Sequence, residues 1–210
     1  MARVADAKCR LCRREGVLLY LKGARCFTEK CAVRRRETVP GAGANKMRGR
    51  LSEYGTRLRE KQKLKRIYGL HERGFRRVYD IASRQKGNTG ENLLVLLERR
   101  LDNVVYALGF GVSRAAARQL VVHGHVRVNT KRADAPGMLV RPGDTIRAAD
   151  DEKSKKLAKD GVAMSRGIRQ IPSWLNASDE ELKGDVVSLP KRADVPFDIN
   201  ELFVVEVCSR

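Results

Sequence analysis

The chain has 210 residues, enough for one large or two small packed units, and carries 44 Lys and Arg against 25 Asp and Glu, a net charge of +19. That imbalance points to a polyanionic partner. There is no apolar run of about 18 residues to span a bilayer and no apolar core in the opening MARVADAKC to make a secretory signal. No long helix pairs a basic face with a Trp/Phe/Leu face, and aromatics are only 5% of the chain, so a membrane partner is not expected and a cytoplasmic location is.

The charge is uneven. Residues 1–66 hold 20 basic against 6 acidic side chains, whereas residues 185–210 hold 3 against 5. Within the basic part, residues 9–36 (CRLCRREGVLLYLKGARCFTEKCAVRRR) contain four of the five cysteines and only one apolar run, VLLYL, too little to fold on burial alone. Cys9, Cys12, Cys26 and Cys31 are spaced C-x2-C-x13-C-x4-C, two close pairs that can bring four thiolates to one tetrahedral ion. With Zn–S distances of about 2.3 Å and all four positions filled by protein, such a site is structural rather than catalytic. We expect one zinc per chain, with an iron–sulfur cluster as the lesser option. Cys208 stands apart and reads as a packing residue.

TVPGAGANKMRGR (38–50) reads as a linker or a loop draped on a partner. From Ser52 the pattern is helical, with Tyr54, Leu58, Leu64 and Tyr68 on one side, and HERGFRRVYDIASRQK (71–86) places Phe75, Val78, Tyr79 and Ala82 at helical spacing. The six basic residues from Arg57 to Arg66 have only Glu53 and Glu60 within helical reach, so their repulsion calls for an external anion.

After KGNTG, residues 91–108 (ENLLVLLERRLDNVVYAL) read as one amphipathic helix, with Leu94, Leu97, Leu101, Val105 and Leu108 in the core. Ser113 is placed to cap RAAARQLVV, and Gly124 to end it in a left-handed conformation. In that helix Arg114 and Arg118 lie one turn apart and, with Gln119, are expected to reach outward, while His123 and His125 flank the glycine. Strands are expected at VRVN, MLV and DTIRA, with turns at Asn129 and at Pro142-Gly143. Residues 151–170 read as a charged, partly helical connector, Trp174 as a core plug, Ser178 with Glu181 as a capping box before Leu182, and Leu202–Val207 as a terminal apolar strand.

Four stretches together carry a resemblance: the cysteine-rich segment, LREKQKLKRIYG, LLERRLDNVVYALGFGVSRAAARQLVVHGHVRVN with VRPGDTI, and ELFVVEVCSR. The chain resembles, nearly end to end, the bacterial small-subunit ribosomal proteins of the S-four family, and its first motif resembles the zinc-containing subset. The resemblance implies an α+β protein: a four-cysteine knuckle and linker at 1–45, a basic helical domain at 46–90, an RNA-binding domain of two helices on a small antiparallel sheet at 91–180, and a segment at 181–210 packing back on these. It further implies a structural component of the small ribosomal subunit that binds the five-way junction of 16S ribosomal RNA early in assembly. Such a component lies beside ribosomal proteins S-five and S-three, near mRNA at its entrance channel, and influences decoding accuracy. Some family members also repress their own operon, a role the resemblance does not assign to this chain.

The expected RNA contacts are Arg13, Arg14 and Lys22 in the knuckle, then Arg34, Arg35, Arg36, Arg48 and Arg50. In the helical domain they are Arg57, Arg59, Lys61, Lys63, Lys65, Arg66, Tyr68, Arg73, Arg76, Arg77, Arg84 and Lys86. In the second module they are Ser113, Arg114, Arg118, Gln119, His123 and His125. The chain departs from the family in TVPGAGANKMRGR, where a Pro/Gly/His-rich segment is usual, at Thr130, and in APGMLV.

An enzyme is not expected, and nor is a small-molecule substrate. The sequence has no P-loop, dinucleotide fingerprint or carboxylate constellation, and no Ser, Cys or carboxylate is placed to work with a histidine. RNA-modifying enzymes with an S-four-type domain attach a catalytic module, for which the roughly 90 residues ahead of this one leave no room. A zinc-dependent DNA-binding regulator would need a recognition helix and a dimer seam, and neither is visible. Recognition of RNA by shape and phosphate geometry fits better.

Overall fold

The computed structural model describes residues 6–36, 38–41, 51–168 and 170–209. The chain divides into two compact units, residues 1–93 with 197–210, and residues 94–196. The first division falls inside a helix. The second leaves residues 181–186, expected to belong to the terminal segment, inside the sheet of the second unit.

In the first unit, α1 (Lys8–Glu15) ends at Gly16, whose φ of 73° supplies the left-handed turn, and a tight helical turn (Gly23–Phe27) leads to α2 (Ala32–Arg35). The helix α3 (Glu53–Ile67) starts where Ser52 accepts the Gly55 N–H, and α4 (Glu72–Ser83) buries Phe75, Tyr79 and Ala82. Leu64, Ile67 and Tyr68 are buried on α3, but Tyr54, expected on the same side, is exposed.

The terminal apolar run is a helix, α9 (Glu201–Cys208), not a strand. Asn200 caps it by accepting the Phe203 N–H, Val204 and Cys208 are buried one turn apart, and Leu202 faces outward. A continuous apolar run does not distinguish strand from helix by itself. Here the cap and packing along α3 decide it.

The expected single helix at 91–108 is broken into α5 (Thr89–Glu98) and α6 (Leu101–Ala107). Arg100 is extended (φ −64°, ψ 134°). The amides of Leu101 and Asp102 turn instead to the carbonyls of Met138 and Pro136 (2.8 and 3.2 Å), and Val140 donates to Arg99. The strand expected at MLV is no more than this crossing, a single bridge between Arg100 and Leu139. The break changes no core assignment, because the five apolar residues named above are all buried on both sides of it.

Next, α7 (Arg114–Val122) is capped by Ser113, which accepts the Ala116 N–H, and α6 and α7 pack on each other. A five-stranded antiparallel sheet follows, in the order β2-β1-β3-β5-β4. Its strands are β1 (Val126–Val128), β2 (Lys131–Ala133), β3 (Thr145–Ala148), β4 (Leu175–Ser178) and β5 (Lys183–Val186). Val126 pairs with both Ala133 and Ala148, so Val126, Val128, Ile146 and Ala148 share the inner face with Val186. Between β3 and β4 runs α8 (Glu152–Ser165), and Trp174 is sealed in the core, 1% exposed, which removes it as a stacking platform.

At Ser178–Glu181 the Ser178 hydroxyl accepts the Glu181 N–H at 3.5 Å, half of the expected capping box, but the chain turns there into the β4–β5 hairpin rather than into a helix. Leu182 is buried with φ of 51° and accepts the Ala148 N–H at its carbonyl, so the chain must turn there to fill the core. This is the α+β arrangement of two packed helices on a small antiparallel sheet.

Candidate nucleic-acid interface

In the cysteine-rich segment, Cys9, Cys12, Cys26 and Cys31 line one small cavity of about 20 Å³. All four are free thiols. Cys26 accepts the backbone N–H of Lys22 at 3.3 Å, and Leu19 donates a backbone hydrogen bond to Cys12. Burial pushes the Cys12 and Cys26 thiols up, and the other cysteines push in the same direction. The side chains surround the cavity without closing into a ligating cluster; among the described residues no three His, Cys, Asp or Glu converge to hold a metal ion.

Of the expected RNA contacts in this segment, Arg14, Lys22, Arg35 and Arg36 are exposed. Arg34 is exposed and meets Glu29 at 3.1 Å. Arg13 is spent internally, donating to the Thr38 carbonyl at 2.8 and 3.0 Å. Arg48 and Arg50 lie outside the described residues.

The basic cluster of α3 differs most from expectation. Its charge is compensated by Glu15, Glu72 and Glu206, which lie beyond helical reach, in addition to the expected Glu53 and Glu60. Arg57 pairs with Glu206 at 2.6 Å and with Glu53; Arg59 and Arg66 share Glu15, whose side chain is 2% exposed; Lys61 and Lys65 share Glu72; and Lys63 meets Glu60 and the Asp198 carbonyl. The like-charge repulsion of this helix is therefore met within the chain and calls for no external anion. Burial pushes the Glu15 carboxyl up against the pull of both guanidiniums. Burial also opposes ionisation of Glu72, but the hydrogen bonds and charges of Lys61 and Lys65 outweigh it and hold that carboxyl below its ordinary value. Lys61 and Tyr68 are buried, so neither presents the surface contact expected of it.

The helix α4 behaves differently. Its apolar side is occupied by Phe75, Tyr79 and Ala82, while Arg73, Arg76, Arg77 and Arg84, with Lys86 just beyond, are exposed and form no ion pair with another described residue. Arg73, Arg77 and Arg84 recur at steps of four and seven, which is one helical stripe.

In the second unit, Arg114 and Arg118 do not simply reach outward. Arg118 donates to Asp102 at 3.0 Å, and Asp102 is also held by the buried Arg100 at 2.8 and 3.1 Å. Arg114 donates to Asn103 at 2.8 Å and lies 4.3 Å above the Tyr106 ring, while Asn103 donates to Glu98 at 2.7 Å. Sequence reading missed Glu98, Arg100, Asp102 and Asn103. Their signal was the charged string ERRLDN set into an apolar helix pattern. Ser113 is consumed by its cap, and His125 bonds Ser154 at 2.7 Å through Nδ1, whereas Gln119 and His123 are exposed.

Residues 3–98 match the family described as Ribosomal protein S4/S9 N-terminal domain, and residues 99–146 match the S4 domain. The chain is 54% identical over 210 residues to the small ribosomal subunit protein uS4A of Alkaliphilus oremlandii, covering all of both chains. It is 50% identical over 210 residues to the uS4 proteins of Thermoanaerobacter sp. and of Thermus thermophilus, again covering all of both chains. The chain belongs to the uS4 family. This is a family of structural ribosomal constituents, not enzymes, and the small ribosomal subunit is its setting. For this uS4 member the boundary between the two family matches, at residues 98 and 99, coincides with the end of α5. Among the described residues no helix is long and apolar enough to cross a membrane.

Proposed function

We propose that this protein binds 16S ribosomal RNA as a structural component of the small subunit, engaging the five-way junction of the 5′ domain early in assembly. The observation that carries the reading is the stripe of Arg73, Arg77 and Arg84 with Arg76 and Lys86. In a chain whose other basic helix is internally neutralised, these cations are left for an external anion. Arginine forks match phosphate geometry, and a helix pinned by Phe75 and Tyr79 presents them in fixed order. The second module adds guanidiniums preset by Asp102 and Asn103, suited to RNA shape rather than to sequence.

The same reading places the protein beside ribosomal proteins S-five and S-three near the mRNA entrance channel, with an influence on decoding accuracy. Support for that placement is the end-to-end similarity to uS4 proteins. We further propose one structural zinc held by Cys9, Cys12, Cys26 and Cys31. The donor set fits: four thiols around one cavity, two of them receiving backbone N–H bonds of the kind that steady a thiolate. When bound, the ion would supply folding energy to a segment with little core of its own.

Chemical footprinting on 16S RNA tests the main reading. Protection should cluster at the junction of the 5′ domain and be lost selectively in an Arg73→Ala/Arg77→Ala/Arg84→Ala protein. Uniform weak protection along the RNA, unchanged by those substitutions, would refute it.

A further inference from the structure

The second unit contains a groove of about 330 Å³ between α7, α8 and the 110–112 turn, in the lower part of the range of small-ligand sites. Among the described residues no Lys or Arg lines it, in a chain that carries 44. Its walls are Ala116, Leu120, Leu157 and Met164, and Met164 is half exposed. Gly161 makes the groove possible by letting α8 press on the turn: a Cβ there would lie 2.1 Å from the Phe110 carbonyl oxygen.

The polar side chains are few, and of these His125 is taken by Ser154. The side chains of Gln119 and Asp160 form no hydrogen bond or ion pair with another described residue, and His123 stands exposed beside His125. A carboxylate with no cation in the groove repels phosphate but accepts from a base amino or imino group, and an amide can both donate to and accept from a base edge. Just outside, Arg132 donates to the His123 carbonyl at 3.4 Å and is exposed, a cation placed for the phosphate next to an inserted base.

We infer that this groove receives one unstacked nucleobase of the bound RNA, read at its edge by Gln119 and Asp160 and held between the apolar walls of α7 and α8. The inference rests on the RNA-binding reading above. An apolar side chain of a neighbouring protein is the rival occupant. It has less use for the unspent amide and carboxylate, and the groove shares Gln119 and His123 with the expected RNA contacts.

The test uses the full chain and a transcript of the 16S 5′ domain, with binding measured against salt and base edges probed chemically. Ala116→Phe, which fills the groove, and Gln119→Ala, on an exposed position that no core contact needs, should each weaken binding about tenfold, the worth of one good amide–base contact. The salt slope should stay unchanged, and one base protected in the wild-type complex should become reactive. Wild-type binding with no such base, and both variants binding as tightly as wild type, would overturn the inference. So would variants that bind the transcript normally but enter assembled subunits poorly, which would assign the groove to a protein. Failure of the wild-type chain itself to bind the transcript would instead defeat the underlying RNA-binding reading.

Discussion

Asp102 is the residue on which the second unit's polar interior turns. Its carboxylate, 7% exposed, takes two hydrogen bonds from Arg100 and one from Arg118, so the charge of a nearly buried guanidinium is balanced on the spot. Removing one partner of such a pair leaves the other charge stranded in a low-dielectric interior, and that penalty exceeds the worth of the pair itself. Asp102→Ala should therefore lower stability by about 3–5 kcal/mol, read as the shift in thermal or urea unfolding of the purified chain. A change under about 1 kcal/mol would mean Arg100 finds water instead.

Glu72 makes a gentler case because its side chain is about half exposed. Its carboxyl is held below the ordinary value, so the stability it contributes is present above the unfolded carboxylate pKa of about 4.3 and lost as pH falls through the lower folded value. Glu72→Gln should cost about 1 kcal/mol at pH 7, after discounting for solvent, and nothing near pH 2. A difference from wild type that stays constant between pH 7 and pH 2 would show that Lys61 and Lys65 are not its source.

At the scale of elements, two helical glycines separate propensity from packing. Alanine is favoured over glycine inside a helix by up to about 1 kcal/mol. At Gly74 of α4 the nearest atom to an added Cβ is a Leu70 methyl at 4.0 Å, so Gly74→Ala should stabilise by a few tenths of a kcal/mol or more. At Gly161 of α8 the same methyl would strike backbone at 2.1 Å, and the overlap outweighs the propensity gain. Gly161→Ala should destabilise by about 1–3 kcal/mol as α8 is pushed from the Phe110 turn. Comparative melting of the two proteins decides it, and equal shifts of the same sign would contradict this packing. The contrast between α3 and α4 belongs to the same scale. The two basic helices differ because Glu15, Glu72 and Glu206 fold back onto one of them and no carboxylate of the described residues pairs with the other's arginines.

For the whole molecule, charge sets the association with RNA. If roughly six to ten phosphates are engaged, log K should fall with log salt at a slope steeper than about −4 at constant Mg²⁺. The Arg73/Arg77/Arg84 triple substitution should flatten that slope by up to about 3, whereas Arg59→Ala, which removes a partner of Glu15, should leave it nearly unchanged and act on stability instead. A slope near zero would exclude a phosphate-dominated interface. The proposed zinc has its own signature. One equivalent per chain should be found by metal analysis, its affinity should fall on acidification because buried thiols reclaim their protons, and Cys26→Ser should lower order in residues 9–31 while most RNA affinity remains. Less than half an equivalent of any metal would refute the site.

The sequence alone determined what depends on local chemistry and on period. The cap at Ser113, the left-handed ending at Gly124, the turn at Asn129, the buried faces of α4 and α6, the core role of Trp174, and the family itself were all legible because each is encoded within a few residues or in a fixed spacing. Three things were decided by tertiary structure. The helix broke at Arg100 because the loop around Pro136 and Met138 captured the amides of Leu101 and Asp102, and periodicity cannot register a hydrogen bond to a residue some 35 positions away. The terminal run became α9 because α3 offered a helical groove, and the 175–186 hairpin formed because Leu182 had a core to fill. The last concerns the interface itself: counting charge along the chain singled out α3, yet long-range ion pairs neutralise it and leave α4 as the cationic face. Coulomb interactions depend on distance in space, and sequence separation does not report it.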